Sequence, residues 1–250
     1  MQLPFQILFP LRYRSIHIDI RDIHFDKECF TKIIKIGLPA GLQSAVFAIA
    51  NIVIQAAINS LGTVVIAASS AAFNIEIFAY YVLNSFSQAC TTFVGQNYGA
   101  GQIKRCRKIL LLCILEDALA SATVIILVLL SGRLLLSIFS SDPQVIEIGY
   151  TRLLIILSAY TFSMLYENMS GYLRGFGDSL IPAVLTVIGV CAVRITWIYT
   201  VFQAYRTFTS ILIAYPVSLS ATALLIFTAL MIYRPSRRYA AANETGSGEI

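Results

Sequence analysis

Residues Ile36–Val94 read IGLPAGLQSAVFAIANIVIQAAINSLGTVVIAASSAAFNIEIFAYYVLNSFSQACTTFV and hold one charged side chain, Glu76, among 59 positions. A helix needs about 20 mostly apolar residues to cross a bilayer, so this stretch is long enough to cross twice. Gly62-Thr63 supplies a tight turn between the two passes. Span one is expected over Ile36–Leu61, with Pro39 near its start, where a missing N–H costs least. Span two, Val64–Val94, exceeds the bilayer core and should tilt or project beyond it.

Working outward, the same alternation of apolar runs and short polar clusters continues to the end of the chain. Gly95–Lys108, GQNYGAGQIKRCRK, reads as a glycine-punctuated loop ending in a basic cluster. Span three is expected over Ile109–Leu130, followed by an interfacial turn at Arg133–Ser140 and a break at Asp142-Pro143. Span four covers Ile146–Met169, and Ser170–Ser179, SGYLRGFGDS, reads as a second glycine loop. Spans five and six fall over Leu180–Phe202 and Phe208–Tyr233. The expected fold class is therefore all-α integral membrane, with six transmembrane helices.

Composition agrees. Of 250 residues, 58% are hydrophobic and 12% charged, against about 25% charged in an ordinary soluble domain. Mean hydropathy is +0.77. The net charge of +5 would suggest nucleic acid in a soluble protein, but here the basic residues flank apolar runs, and no nucleic-acid partner is expected. With the N-terminus in the cytoplasm, 14 of the 18 Lys and Arg fall on the inner side. That asymmetry predicts both termini cytoplasmic and an even number of spans. The five cysteines form no CxxC pair and read as small apolar residues. His17, His24 and Cys29 share the N-terminal segment but fit no zinc spacing.

Polar positions recurring every fourth residue mark a helix face turned toward protein or water. Span one carries Gln43 and then Asn51, Gln55 and Asn59; span two carries Glu76, Tyr80, Asn84 and Gln88, with Ser70 and Asn74 nearby. Two such stripes on consecutive helices can line one polar cavity, or serve as interhelical glue. Glu76 lies about 18 Å along its helix, near the bilayer middle. A carboxylate there must be paired, hydrated or protonated, which suits exchange of a proton or a sodium ion. Phe78, Tyr80, Tyr81 and Phe86 have ring faces able to hold an organic cation.

Arg194, deep in span five, reads as a structural charge paired with a carboxylate or with carbonyls. Glu116, Asp117 and Glu167 lie toward the inner ends of their spans and read as solvated or paired. Arg152 is placed near the outer interface, able to snorkel. The glycine clusters match neither a dinucleotide fingerprint nor a P-loop, no nucleophile–base pair or zinc motif appears, and no enzymatic activity is expected.

Ile36–Asn59, the ACTTFVGQNYGAGQIKRCRK segment and GYLRGFGDSLIPA together resemble the opening helix and two loops of the second lobe of the MATE (multidrug and toxic compound extrusion) transporters. The resemblance covers about Ile36 to Tyr233. It implies a C-terminal six-helix lobe (residues 36–233), preceded by the end of an earlier helix and a cytoplasmic inter-lobe linker (1–35) and followed by a cytoplasmic tail (234–250). It further implies an antiporter in the plasma (inner) membrane that exports drugs or other amphipathic, cationic compounds by alternating access. Sodium or proton entry drives export, with no other cofactor. Glu76 becomes the coupling-ion residue, with Asn74 beside it, and Na+ at Glu76 is the sole metal expected. Gln43, Asn51, Gln55, Tyr80, Asn84 and Gln88 become cavity residues. An N-terminal lobe, or a second copy, is the expected partner that completes the cavity. The alternatives are a lipid-linked precursor flippase and a small channel or assembly subunit.

Overall fold

The computed structural model describes residues 25–235. His17, His24 and the expected end of a preceding helix lie outside the described residues. Six long helices follow one another up and down: α1 Lys27–Asn59, α2 Thr63–Gly99, α3 Ile103–Ser137, α4 Pro143–Gly175, α5 Leu180–Ala204 and α6 Phe208–Tyr233. Each is long and apolar enough to cross a membrane. Large apolar side chains cover the outside of the bundle, among them Leu130 at 82% exposure and Ile232 at 77%. Water would penalise such a surface, whereas lipid does not.

Local chemistry sets the helix ends. Asp26 caps α1, its carboxylate accepting from the backbone N–H groups of Glu28 and Cys29. Asp142 caps α4 the same way through Gln144, with Pro143 in the first turn, where its missing N–H costs nothing. Gly62 turns the chain between α1 and α2 at φ +99°, a conformation closed to most side chains.

The helices run further than the apolar runs alone suggest. α1 begins at Lys27, α3 begins at Ile103 and continues through Ser137, and most of both expected glycine loops is helical. The true loops shrink to residues 100–102 and 176–179. The interfacial turn expected from Arg133 is simply the end of α3, where Arg133 forms an exposed ion pair with Glu147 at 2.7 Å. Gly101 and Gly177 do turn the chain, at φ +71° and +87°, but Gly171 and Gly175 are packing positions instead. A methyl group on Gly171 would lie 2.5 Å from the Ser87 carbonyl oxygen, and one on Gly175 would lie 2.6 Å from Val94 Cβ. In lipid, helices gain contact chiefly by close backbone approach, which small residues permit.

α4 is the centre of the bundle. It packs along α2 over its length, and against α6 and α3 on its other sides. α1 packs mainly on α5 and touches α2 sparsely. α5 is composite: α-helical at Leu180–Thr186, a π-helical turn at Val187–Ala192, and α-helical again from Val193.

Candidate functional site

Four helices bring charged side chains into the apolar interior: α2, α3, α4 and α5. Ser69 and Glu76 lie two turns apart on the buried face of α2, and Arg152 faces them from α4. Arg152 Nε donates to Glu76 Oε2 at 3.1 Å, Nη2 donates to Oε1 at 2.5 Å, and Nη1 donates to Ser69 Oγ at 2.8 Å. The pair is sealed, with Glu76 and Arg152 each 3% exposed. The expectation that Arg152 snorkels to the interface is corrected here. A full opposite charge on the facing helix satisfies the guanidinium better than distant water does.

α6 supplies the next group. Pro216 lacks an N–H, which removes one helical hydrogen bond. Beside this break, Tyr215 stands between two guanidiniums, with Arg194 4.2 Å and Arg152 5.9 Å from its ring centre. Arg194, 6% exposed, donates to Ser218 Oγ at 2.9 Å. It has no carboxylate partner among the described residues, so the expected carboxylate or carbonyl pairing gives way to a hydroxyl and a ring face.

These groups border a cavity of about 330 Å³. Its polar lining is Asn51, Gln55, Ser69, Ser70, Arg152 and Tyr215. Two of the residues expected to line a cavity are therefore in it, and Gln55 Nε2 also donates to Asn59 Oδ1 at 2.8 Å. The others lie elsewhere. Gln43 is half-buried on α1 outside the cavity lining. Tyr80 packs edge-on against Tyr160 at 6.3 Å and accepts a 3.4 Å hydrogen bond from Asn84. Gln88 is exposed. The two stripes part because a four-residue spacing drifts about 40° per step around a helix, and because α1 barely touches α2. Asn74 is exposed, and its amide donates to the Ser70 carbonyl at 2.9 Å. It is not brought to Glu76, since positions two apart face opposite sides of a helix.

A further polar cluster joins α3 to α4. Asp117, fully buried, accepts from Ser121 Oγ at 2.7 Å and from Asn168 Nδ2 at 2.5 Å. Asn168 also donates to the Met164 carbonyl at 3.0 Å, and its Oδ1 has no hydrogen-bond partner. Glu167 pairs with Arg174 at 3.3 Å. Asp117 was legible in part: Cys106, Leu110, Cys113, Asp117 and Ser121 recur at helical spacing, and all five are buried. Among the described residues, no group of three or more His, Cys, Asp or Glu is placed to hold a metal ion.

Comparison with known proteins follows the same lines. The MatE family profile matches residues 39–200, nearly two-thirds of the chain. A "Probable multidrug resistance protein NorM" of Thermotoga maritima is 26% identical over 175 residues, covering 70% of this chain and 38% of that protein. A "FAD transporter" of Shewanella oneidensis is 29% identical over 153 residues, 61% of this chain and 34% of that one. The solved structure described as "Outward-facing conformation of a multidrug resistance MATE family transporter of the MOP superfamily" superposes with a TM-score of 0.79 at 18% identity. That likeness takes in 95% of this chain and 52% of the other. The chain thus spans about half of the matched structure and about a third to two-fifths of these two relatives.

Proposed function

The chain belongs to the MatE family, and from that premise we propose that it is one lobe of a cation-coupled exporter of small organic compounds in the plasma membrane. Both termini face the cytoplasm in this reading, and an N-terminal lobe or a second copy supplies the opposite wall. The observation that carries it is the open, partly polar cavity beside the buried Glu76–Arg152 pair.

Glu76 is the group through which ion entry and export communicate. In the described state Arg152 neutralises it. A proton on Glu76, or a sodium ion beside it, competes with Arg152 for the same oxygens and frees the guanidinium and Ser69 toward the cavity. An organic cation meets the same competition, because Glu76 is the acid nearest the cavity and Arg152 already occupies it. Substrate and coupling ion therefore exclude one another, the thermodynamic requirement for antiport. Asn51, Gln55 and Tyr215 give the cavity hydrogen-bonding and ring-face contacts of broad specificity. Multidrug resistance proteins among the relatives support drug export.

The test is transport in vesicles holding this chain together with a complementary N-terminal lobe, under an imposed sodium or proton gradient. Gradient-driven drug movement is expected, falling to background in Glu76→Gln while insertion into the vesicle is unchanged. Wild-type transport by that variant would remove Glu76 from the mechanism.

A further inference from the structure

A groove larger than the polar cavity lies away from it. α3 and α6 both pack on α4 but meet each other hardly at all, leaving a cleft of about 730 Å³ with α4 as its floor. Its walls are apolar: Leu111 from α3, Phe162 from α4, and Leu224 and Phe227 from α6. These four side chains are between 40% and 67% exposed, so the groove opens outward, where lipid surrounds the bundle. From Arg234 to Ser220 it follows α6 for about 21 Å, more than the roughly 15 Å depth of one leaflet's hydrocarbon.

One end of the groove differs from the rest. Arg107, in the second turn of α3, and Arg234, just past the end of α6, both border it. Both are exposed, and neither has a carboxylate partner among the described residues. Arg234 Nε donates to the Met231 carbonyl at 3.0 Å, which holds the side chain at the groove mouth and leaves its terminal nitrogens out of that bond.

We propose that this groove is a binding site for an anionic phospholipid. The acyl chains lie along the α3–α4–α6 cleft, and the phosphate is held by Arg107 and Arg234. Charge complementarity selects the occupant. Two guanidiniums offer paired N–H donors matched to phosphate oxygens, whereas a zwitterionic headgroup would bring its own cation against them. Basic pockets between spans are recurrent sites of this kind.

The experiment measures thermal stability of the purified full chain in detergent, titrated with phosphatidylglycerol or with phosphatidylcholine of the same acyl chains. Co-purified lipid is quantified by mass spectrometry. Phosphatidylglycerol is expected to raise the melting temperature more than phosphatidylcholine and to dominate the bound lipid. Arg107→Gln/Arg234→Gln should lose that preference, about fivefold in affinity for each guanidinium removed. Lys104→Gln/Arg105→Gln, which removes two exposed charges nearby but outside the groove, should keep it. Equal responses to the two lipids, preference surviving in Arg107→Gln/Arg234→Gln, or equal loss in the control pair would each overturn the proposal. The first is the result expected if a second lobe or a second copy covers the groove instead.

Discussion

Glu76 and Arg152 stand 76 positions apart and meet through two hydrogen bonds, 3.1 and 2.5 Å long, across the α2–α4 interface. Removing one member of such a pair strands a buried charge, at a cost of about 3–5 kcal/mol. Arg152→Met is therefore expected to lower the unfolding temperature in detergent sharply. Glu76→Gln/Arg152→Met should recover most of the loss, because no charge remains unpaired. A double variant as unstable as Arg152→Met alone would mean that the pair matters for packing and not for charge.

The cavity makes a sharper prediction about which amides touch substrate. Asn51→Leu and Gln55→Leu, both in the lining, are expected to weaken substrate binding roughly threefold to tenfold, the worth of one hydrogen bond. Gln88→Leu, exposed on α2 away from that lining, should leave binding unchanged. Binding isotherms on the assembled two-lobe protein distinguish them, and a loss confined to Gln88→Leu would place the substrate elsewhere.

Asp117 has no cation among its immediate contacts, which are Ser121 and Asn168. Asp117→Asn keeps the shape and can satisfy both neighbours without a charge. It should match or exceed wild-type stability, while Asp117→Ala leaves buried donors unpaired and should cost about 1–3 kcal/mol. Calorimetry or a thermal-shift assay reads both, and strong destabilisation by Asp117→Asn would show that the charge itself is required.

Gly171→Ala places a methyl group 2.5 Å from the Ser87 carbonyl, at the closest approach of α2 and α4. Overpacking of this kind costs about 1–3 kcal/mol. Gly41→Ala meets nothing within 4 Å and should be neutral or slightly stabilising. Paired melting curves test the contrast.

Cys29 is exposed near the start of α1, while Cys90, Cys106, Cys113 and Cys191 are buried. A membrane-impermeant maleimide is expected to label Cys29 alone in inverted vesicles and nothing in intact cells. Labelling in intact cells would reverse the proposed orientation.

The span count was legible because each crossing is an uninterrupted apolar run. Phe208–Tyr233 has the same bounds in the sequence reading and in the structure. Helix ends were misread wherever glycine served as packing material and not as punctuation, as at Gly95, Gly171 and Gly175. Two of the six polar residues that line the cavity were visible as the Asn51–Gln55 stripe. Arg152 was not assigned to it, because an ion pair between distant helices leaves no local pattern. Nothing in α2 alone separates Ser69, which accepts from Arg152, from Ser70 and Asn74, which are exposed.

The π-helical turn of α5 has a consequence for angle. Ala183 and Phe202 both face the core although 19 residues separate them. On an unbroken α-helix that interval is about 1900°, five full turns and roughly 100° more. A second irregularity at Thr200, with φ −113° and ψ −76°, and the wider turn at Val187–Ala192 together absorb the excess, the latter by one added residue that acts as a phase corrector between two halves of the helix. Deleting any residue within it would return α5 to regular winding and swing Arg194 about 100° off Tyr215, toward the bilayer. The turn thus sets the compass bearing of the charge that follows it; its length in residues is constrained, and so is Gly189 within it, where a Cβ would collide with Thr222 Oγ1.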